Sequence, residues 1–156
     1  IILNLCIFIA LWYVTDTNII YSLFAFLGIQ LQGTLYNYYY VILRNNLNGD
    51  TTSRIFEFNS PQAMKGEKQK NVNTLFGIYK VLNGVFDKII YTLDSNASKG
   101  KRFPNLLMTA LSTFGLGFQL LTISFMLVLG YKEYIVPLFL WYTLMILVFI
   151  GIRKRL

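Results

Sequence analysis

Four stretches of this chain carry no charged side chain and are dense in Leu, Ile, Phe, Val and Tyr: residues 1–14, 18–43, 104–130 and 134–152. Runs of this kind are read as apolar helices that cross or enter a lipid bilayer. Composition agrees: 55% of residues are apolar, 17% aromatic and 13% charged, whereas a soluble domain is about one quarter charged. The expected fold is all-α, a polytopic membrane helix bundle. It has four apolar segments plus one cytoplasmic amphipathic helix in a single domain, 1–156.

Segment 1–14 is the short one. At about 1.5 Å per residue it measures roughly 21 Å, against a hydrocarbon core of roughly 30 Å. It therefore reads as the second half of a membrane helix, and the chain as a C-terminal fragment. It has neither a basic leading region nor a small-residue cleavage site, so a signal peptide is not expected. Segment 18–43 has Trp12, Tyr13 and Tyr21 near one end and Tyr36 to Tyr40 near the other, the pattern of aromatic belts at headgroup depth. Segment 104–130 either spans with tilt or begins with an interfacial turn at Phe103-Pro104. Its Gly115-Leu116-Gly117 reads as a close helix contact more readily than as a flexible point. Cys6 reads as a buried structural thiol.

Charge placement sets the topology. The connection at 15–17 has one acid and no base, and the connection at 131–133 has Lys132 against Glu133. The central loop, 44–103, holds ten Lys/Arg, and the tail reads Arg153-Lys154-Arg155. By the positive-inside rule the loop and the C-terminus are both cytoplasmic. The net charge of +7 then reports topology, and no nucleic-acid partner is expected.

Within the loop, residues 57–70 are polar with Pro and Gly and read as a linker. Val72, Leu75, Phe76, Tyr79, Leu82, Phe86, Ile89, Ile90 and Leu93 then recur at helical spacing, with Lys80, Asn83, Asp87 and Lys88 elsewhere. An amphipathic helix is expected over 71–94, lying in the interface or across the cytoplasmic mouth of the bundle.

Chemistry is sparse. The chain has no histidine, which removes the commonest general base and metal ligand. Its seven acids form no closely spaced pair suited to a metal, and no catalytic residue is assigned. Gln30, Gln32, Asn37, Gln119 and Ser124 are expected to bridge helices. The one phosphate-friendly stretch follows segment 18–43. There Arg44 is followed by Gly49-Asp50-Thr51-Thr52-Ser53-Arg54, combining forked guanidiniums with a permissive glycine and hydroxyls. One reading makes Arg44, Thr51, Thr52, Ser53 and Arg54 a phosphate-binding rim. The other makes Asp50 or Thr51 the cap of a short helix starting near Ser53, beside snorkelling arginines. The stretch is not a P-loop, lacking G-x-x-x-x-G-K-[ST].

The run "LQGTLYNYYYVILRNNLNGDTTSR" resembles the fourth helix and following loop of CDP-alcohol phosphatidyltransferases. The continuation "NTLFGIYKVLNGVFDKIIYTLD", two further spans and a basic tail resemble a bacterial branch of that family. The family signature, D-x-x-D-G-x-x-A-R followed by G-x-x-x-D-x-x-x-D, is absent. The resemblance implies six helices with both termini cytoplasmic, of which this chain would supply the third to sixth, in a bacterial inner membrane and often as a homodimer. It implies Mg²⁺ or Mn²⁺ held by aspartates upstream of this chain. It also implies membrane lipid, a CDP-linked substrate and an acceptor alcohol as partners, and places Arg44 at the cytoplasmic rim. On this reading the chain alone is inactive. The alternatives are a non-enzymatic membrane scaffold or subunit, and a fragment of an intramembrane prenyltransferase.

Overall fold

A computed structural model describes residues 1–47, 49, 59–99 and 103–156. The described residues form six α-helices: α1 (Ile2–Val14), α2 (Ile19–Asn46), α3 (Gln69–Leu93), α4 (Asn105–Leu111), α5 (Leu116–Val128) and α6 (Ile135–Arg155). Short 3-10 turns stand at Ala97–Lys99, Ser112–Phe114 and Lys132–Tyr134, and no strand occurs among the described residues. The all-α expectation holds, and the amphipathic helix lies close to its expected bounds.

The α1–α2 connection is fixed by side chains. Thr15 Oγ1 donates to the Leu11 carbonyl at 2.7 Å, and the Asn18 side chain accepts from Ile20 N–H at 2.8 Å, as an N-cap should. Ser22 Oγ then reaches the Phe8 carbonyl at 3.0 Å, so α2 returns along α1. Helices α2 and α6 run in the same direction. Gly28 faces Thr143, while Tyr39 and Arg153, some ten residues further along each helix, meet the same Asp94. Close approach at the first pair needs the missing side chain: a Cβ on Gly28 would lie 2.1 Å from Thr143 Oγ1.

The ends of the bundle are chemically distinct. Lys132 Nζ donates to the Val14 carbonyl at 2.8 Å, which puts the two charge-poor turns together. Gly130 closes α5 at φ 78, with Tyr131 N–H on the Met126 carbonyl at 2.8 Å, the left-handed cap for which glycine is suited. Arg44, Asp94 and Arg153 lie at the opposite end.

The four apolar segments all become helical, and two to three of them are long and apolar enough to span a membrane. Two helices, Ile19–Asn46 and Lys132–Arg155, are long and apolar enough to cross a membrane, and α1 is shorter. The third segment is broken at Gly115 with a bend of 55°, so it makes a third span only if its halves are counted together. The break has a local cause. Ser112 Oγ and Thr113 Oγ1 bond back to the carbonyls of Thr109 and Ala110 at 2.7 and 2.6 Å, competing with the helix ladder. Gly115 then turns extended, at φ −67 and ψ 144. The expected close helix contact is therefore a break instead. Only Gly115 is tightly approached, by Ser112 O and the Tyr36 ring, and Gly117 has open space.

The outer surface is oily: Phe24, Leu121, Phe125, Trp141 and Leu147 are all more than half exposed. Such a surface suits lipid rather than water, and the apolar helices fit an integral membrane protein. Cys6 belongs to this outer surface and is exposed, contrary to the expectation of burial. Helix α1 is apolar on nearly every side, with Asn4 its exception, so its hydrophobic pattern does not say where Cys6 faces.

Candidate functional site

At the foot of α2, Tyr36, Tyr40 and Arg44 fall at four-residue spacing and so share one face. The Tyr36 and Tyr40 rings stack at 5.8 Å, and the Arg44 guanidinium lies over Tyr40 at 5.5 Å from its centroid. A cation seated on an aromatic face is attracted by the ring quadrupole and held in place. Gly49 N–H bonds to the Arg44 carbonyl at 3.0 Å, closing the chain over the helix end. Of the expected phosphate rim, Thr51, Thr52, Ser53 and Arg54 lie outside the described residues. The expected helix near Ser53 does too.

Beside this foot stands an ionic cluster that sequence reasoning missed. The Asp94 side chain is fully buried and that of Arg153 is 10% exposed. Arg153 Nη1 donates to Asp94 Oδ1 at 2.8 Å, and Nη2 to the Asn96 carbonyl at 2.7 Å. Tyr39 Oη donates to Asp94 Oδ2 at 2.6 Å, and Tyr38 Oη to the Asp94 carbonyl at 3.0 Å. Both carboxylate oxygens are thus engaged, as a buried charge requires. Tyr38 and Tyr39 are interior residues, not belt residues. Arg153 is likewise a packed group and not merely a topological marker.

Helix α3 also turns a different side to the bundle than its apolar stripe suggests. Ile90 is buried and Phe86 partly so, but Leu75, Leu82 and Ile89 of that stripe are exposed. Asn83 and Asp87, expected on the polar side, line a cavity shared with α1, α2 and α5.

A third polar group crosses the middle of the bundle. Gln119 Nε2 donates to Gln32 Oε1 at 3.1 Å, and Gln32 Nε2 to Thr143 Oγ1 at 3.0 Å. The bridging expectation is met by Gln32 and Gln119, whereas Ser124 is exposed. This layer separates two apolar cores, one around Phe8, Phe26 and Phe139, the other around Leu35, Phe114 and Phe149.

Among the described residues, no group of three or more His, Cys, Asp or Glu is placed to hold a metal ion. These residues do not fit Mg²⁺ or Mn²⁺, since Asp94 is consumed by Arg153 and Tyr39. What the foot offers is a held guanidinium at the end of an apolar helix. Comparison of the chain with protein-family models, with curated proteins and with solved structures gives no match.

Proposed function

We propose that the chain is part of an integral-membrane CDP-alcohol phosphatidyltransferase. Such an enzyme transfers a phosphoryl-linked group from a CDP-linked donor to an acceptor hydroxyl and releases CMP. The observation that carries this reading is the Tyr36–Tyr40–Arg44 column. It holds a cation at the foot of a membrane-length helix, a few residues before the Gly49 to Arg54 stretch of the sequence. A substrate that is half lipid and half phosphate calls for that combination of an oily wall and a fixed guanidinium.

In the transfer, the acceptor oxygen forms a bond to the donor phosphorus. The pyrophosphate bridge breaks, the bridging oxygen leaves with CMP, and the hydroxyl proton passes to a base. Arg44 is assigned the phosphate, which it orients without becoming covalently involved. The base and any metal ligands are not among the described residues, so this reading requires the aspartate signature to be supplied outside residues 1–156. The proposed orientation puts the foot of α2 and the basic residues of 44–103 in the cytoplasm.

The test is CMP release from CDP-diacylglycerol, with a panel of alcohol acceptors, by membranes carrying the complete reading frame that encodes this chain. Activity is expected, with Arg44→Ala lowering it at least tenfold while expression is unchanged. Purified residues 1–156 alone are expected to release none. Absence of release from the complete protein with every acceptor, or an upstream sequence without the paired aspartates, overturns the reading in favour of a membrane scaffold.

A further inference from the structure

Helix α3 keeps its most continuous apolar surface away from the rest of the protein. Leu75, Ile78, Leu82, Val85 and Ile89 recur three and four residues apart, so they form one line along the helix. Each of them is between 39% and 66% exposed. A different side of α3 meets the bundle: Ile90 is buried there, and Asn83 and Asp87 line the cavity shared with α1, α2 and α5. The exposed face is broad. At 3.6 residues per turn it spans about 160°, from Val81 at one edge to Tyr79 at the other, and both edge residues are exposed as well. Between Leu75 and Ile89 no charged or amide residue falls on that arc. An apolar surface of this extent marks a site of interaction.

Width selects the occupant. A second helix, as in a coiled coil, covers a narrow seam of two residues per heptad and leaves the flanks to polar groups. Here Val81 and Tyr79 carry the apolar surface on past that seam. A broad apolar arc with a basic border is the form of a helix lying in a lipid leaflet. Lysine supplies the border: Lys70 and Lys88, about five turns apart, fall on one line beside Val81, and both are exposed. Their stems can follow the apolar face and lift the ammonium groups to phosphate depth. Lys65 and Lys68, just before the helix, add exposed positive charge at its start.

The mooring of α3 agrees. Asp94, immediately after the helix, is held by Arg153 of the basic tail at 2.8 Å, and basic residues flanking a span mark headgroup level. One end of α3 is thus tied at the surface of the leaflet, within reach of its lipids. We propose that α3 docks by this face on the phospholipid leaflet, its apolar arc among the upper acyl chains and its lysines at the phosphates. Of the two seats expected for α3, the membrane interface and the mouth of the bundle, this face takes the first. The proposal goes beyond the transferase reading and does not depend on it, since neither the face nor its readout involves Arg44 or CMP.

The test uses the full chain in nanodiscs of phosphatidylcholine and phosphatidylglycerol. A Cys6→Ser background leaves one thiol per molecule when Ile78→Cys, Leu82→Cys, Val85→Cys or Lys80→Cys is introduced and labelled with a nitroxide. Collision of the label with oxygen, which partitions into lipid, is compared with collision with a water-soluble nickel chelate. The oxygen-to-nickel ratio at positions 78, 82 and 85 is expected to exceed that at position 80 by roughly fivefold or more, as for a helix with one face in acyl chains. A ratio no higher than at position 80 means that water covers the face, and labels shielded from both reagents mean that protein does. Either result overturns the proposal, as does spin–spin broadening at the three positions, which places a second copy on the face. Three positions on one face keep the test decisive should a single variant fail to fold.

Discussion

Two polar regions interrupt the apolar bundle, and they are built on opposite principles. The Asp94–Arg153 cluster at the foot is charged, buried and engaged at both carboxylate oxygens. The Gln32–Gln119–Thr143 layer at mid-depth is neutral, and beside it the Gln30 amide nitrogen is buried without a hydrogen-bond partner. A buried charge tolerates no vacancy, because its desolvation penalty is so large that any structure retaining it must satisfy it. A neutral amide tolerates one at a lower cost. The foot is therefore suited to holding elements together, and the middle can carry an unmet donor.

The comparison breaks most readily at Arg153. Arg153→Met strands Asp94 in the interior and is expected to destabilise the protein by about 3–5 kcal/mol, read from denaturant unfolding in detergent. The double variant Asp94→Leu with Arg153→Met should recover most of that loss. A single variant within about 1 kcal/mol of the parent sinks the assignment. Gly28→Ala comes next, at about 1–3 kcal/mol, because the added methyl drives into Thr143. Its penalty should shrink in a Thr143→Ala background, and an equal penalty there would point to a different contact. Gln32→Leu removes the acceptor for Gln119 and the donor to Thr143, and about 1 kcal/mol is expected, in line with interhelical hydrogen bonds in membranes. Tyr38→Phe deletes one hydroxyl bond to the Asp94 carbonyl. It should cost about 0.5–1.5 kcal/mol, near the low end because the carboxylate itself is untouched.

What was legible in the sequence follows from range. Apolar runs and helical periodicity are local, so α1, α2, α3 and α6 stand close to where the pattern puts them. The amides Gln32 and Gln119 were legible as bridging groups because a polar side chain in an oily helix has few other uses. Their shared partner Thr143 was not. Asp94 and Arg153 stand 59 residues apart, and no spacing rule joins them. Asp94 stands at the end of the amphipathic helix and Arg153 in the basic tail, and neither position by itself points to the other. The break at Gly115 was half visible: the glycine was noticed, but the preceding Ser112-Thr113 pair, whose hydroxyls take the backbone carbonyls, decided between packing and breaking. The buried tyrosines misled because an aromatic cluster at a helix end looks the same whether it faces lipid or a carboxylate.

The distance in sequence between Asp94 and Arg153 also sets an order of events during synthesis. Asp94 leaves the ribosome well before its partner exists. At typical elongation rates of about 5–20 residues per second the interval for those 59 residues is roughly 3–12 s. Until then the carboxylate has no counter-ion with which to enter the bundle. The end of α3 therefore completes its ion pair only after α6 has been made.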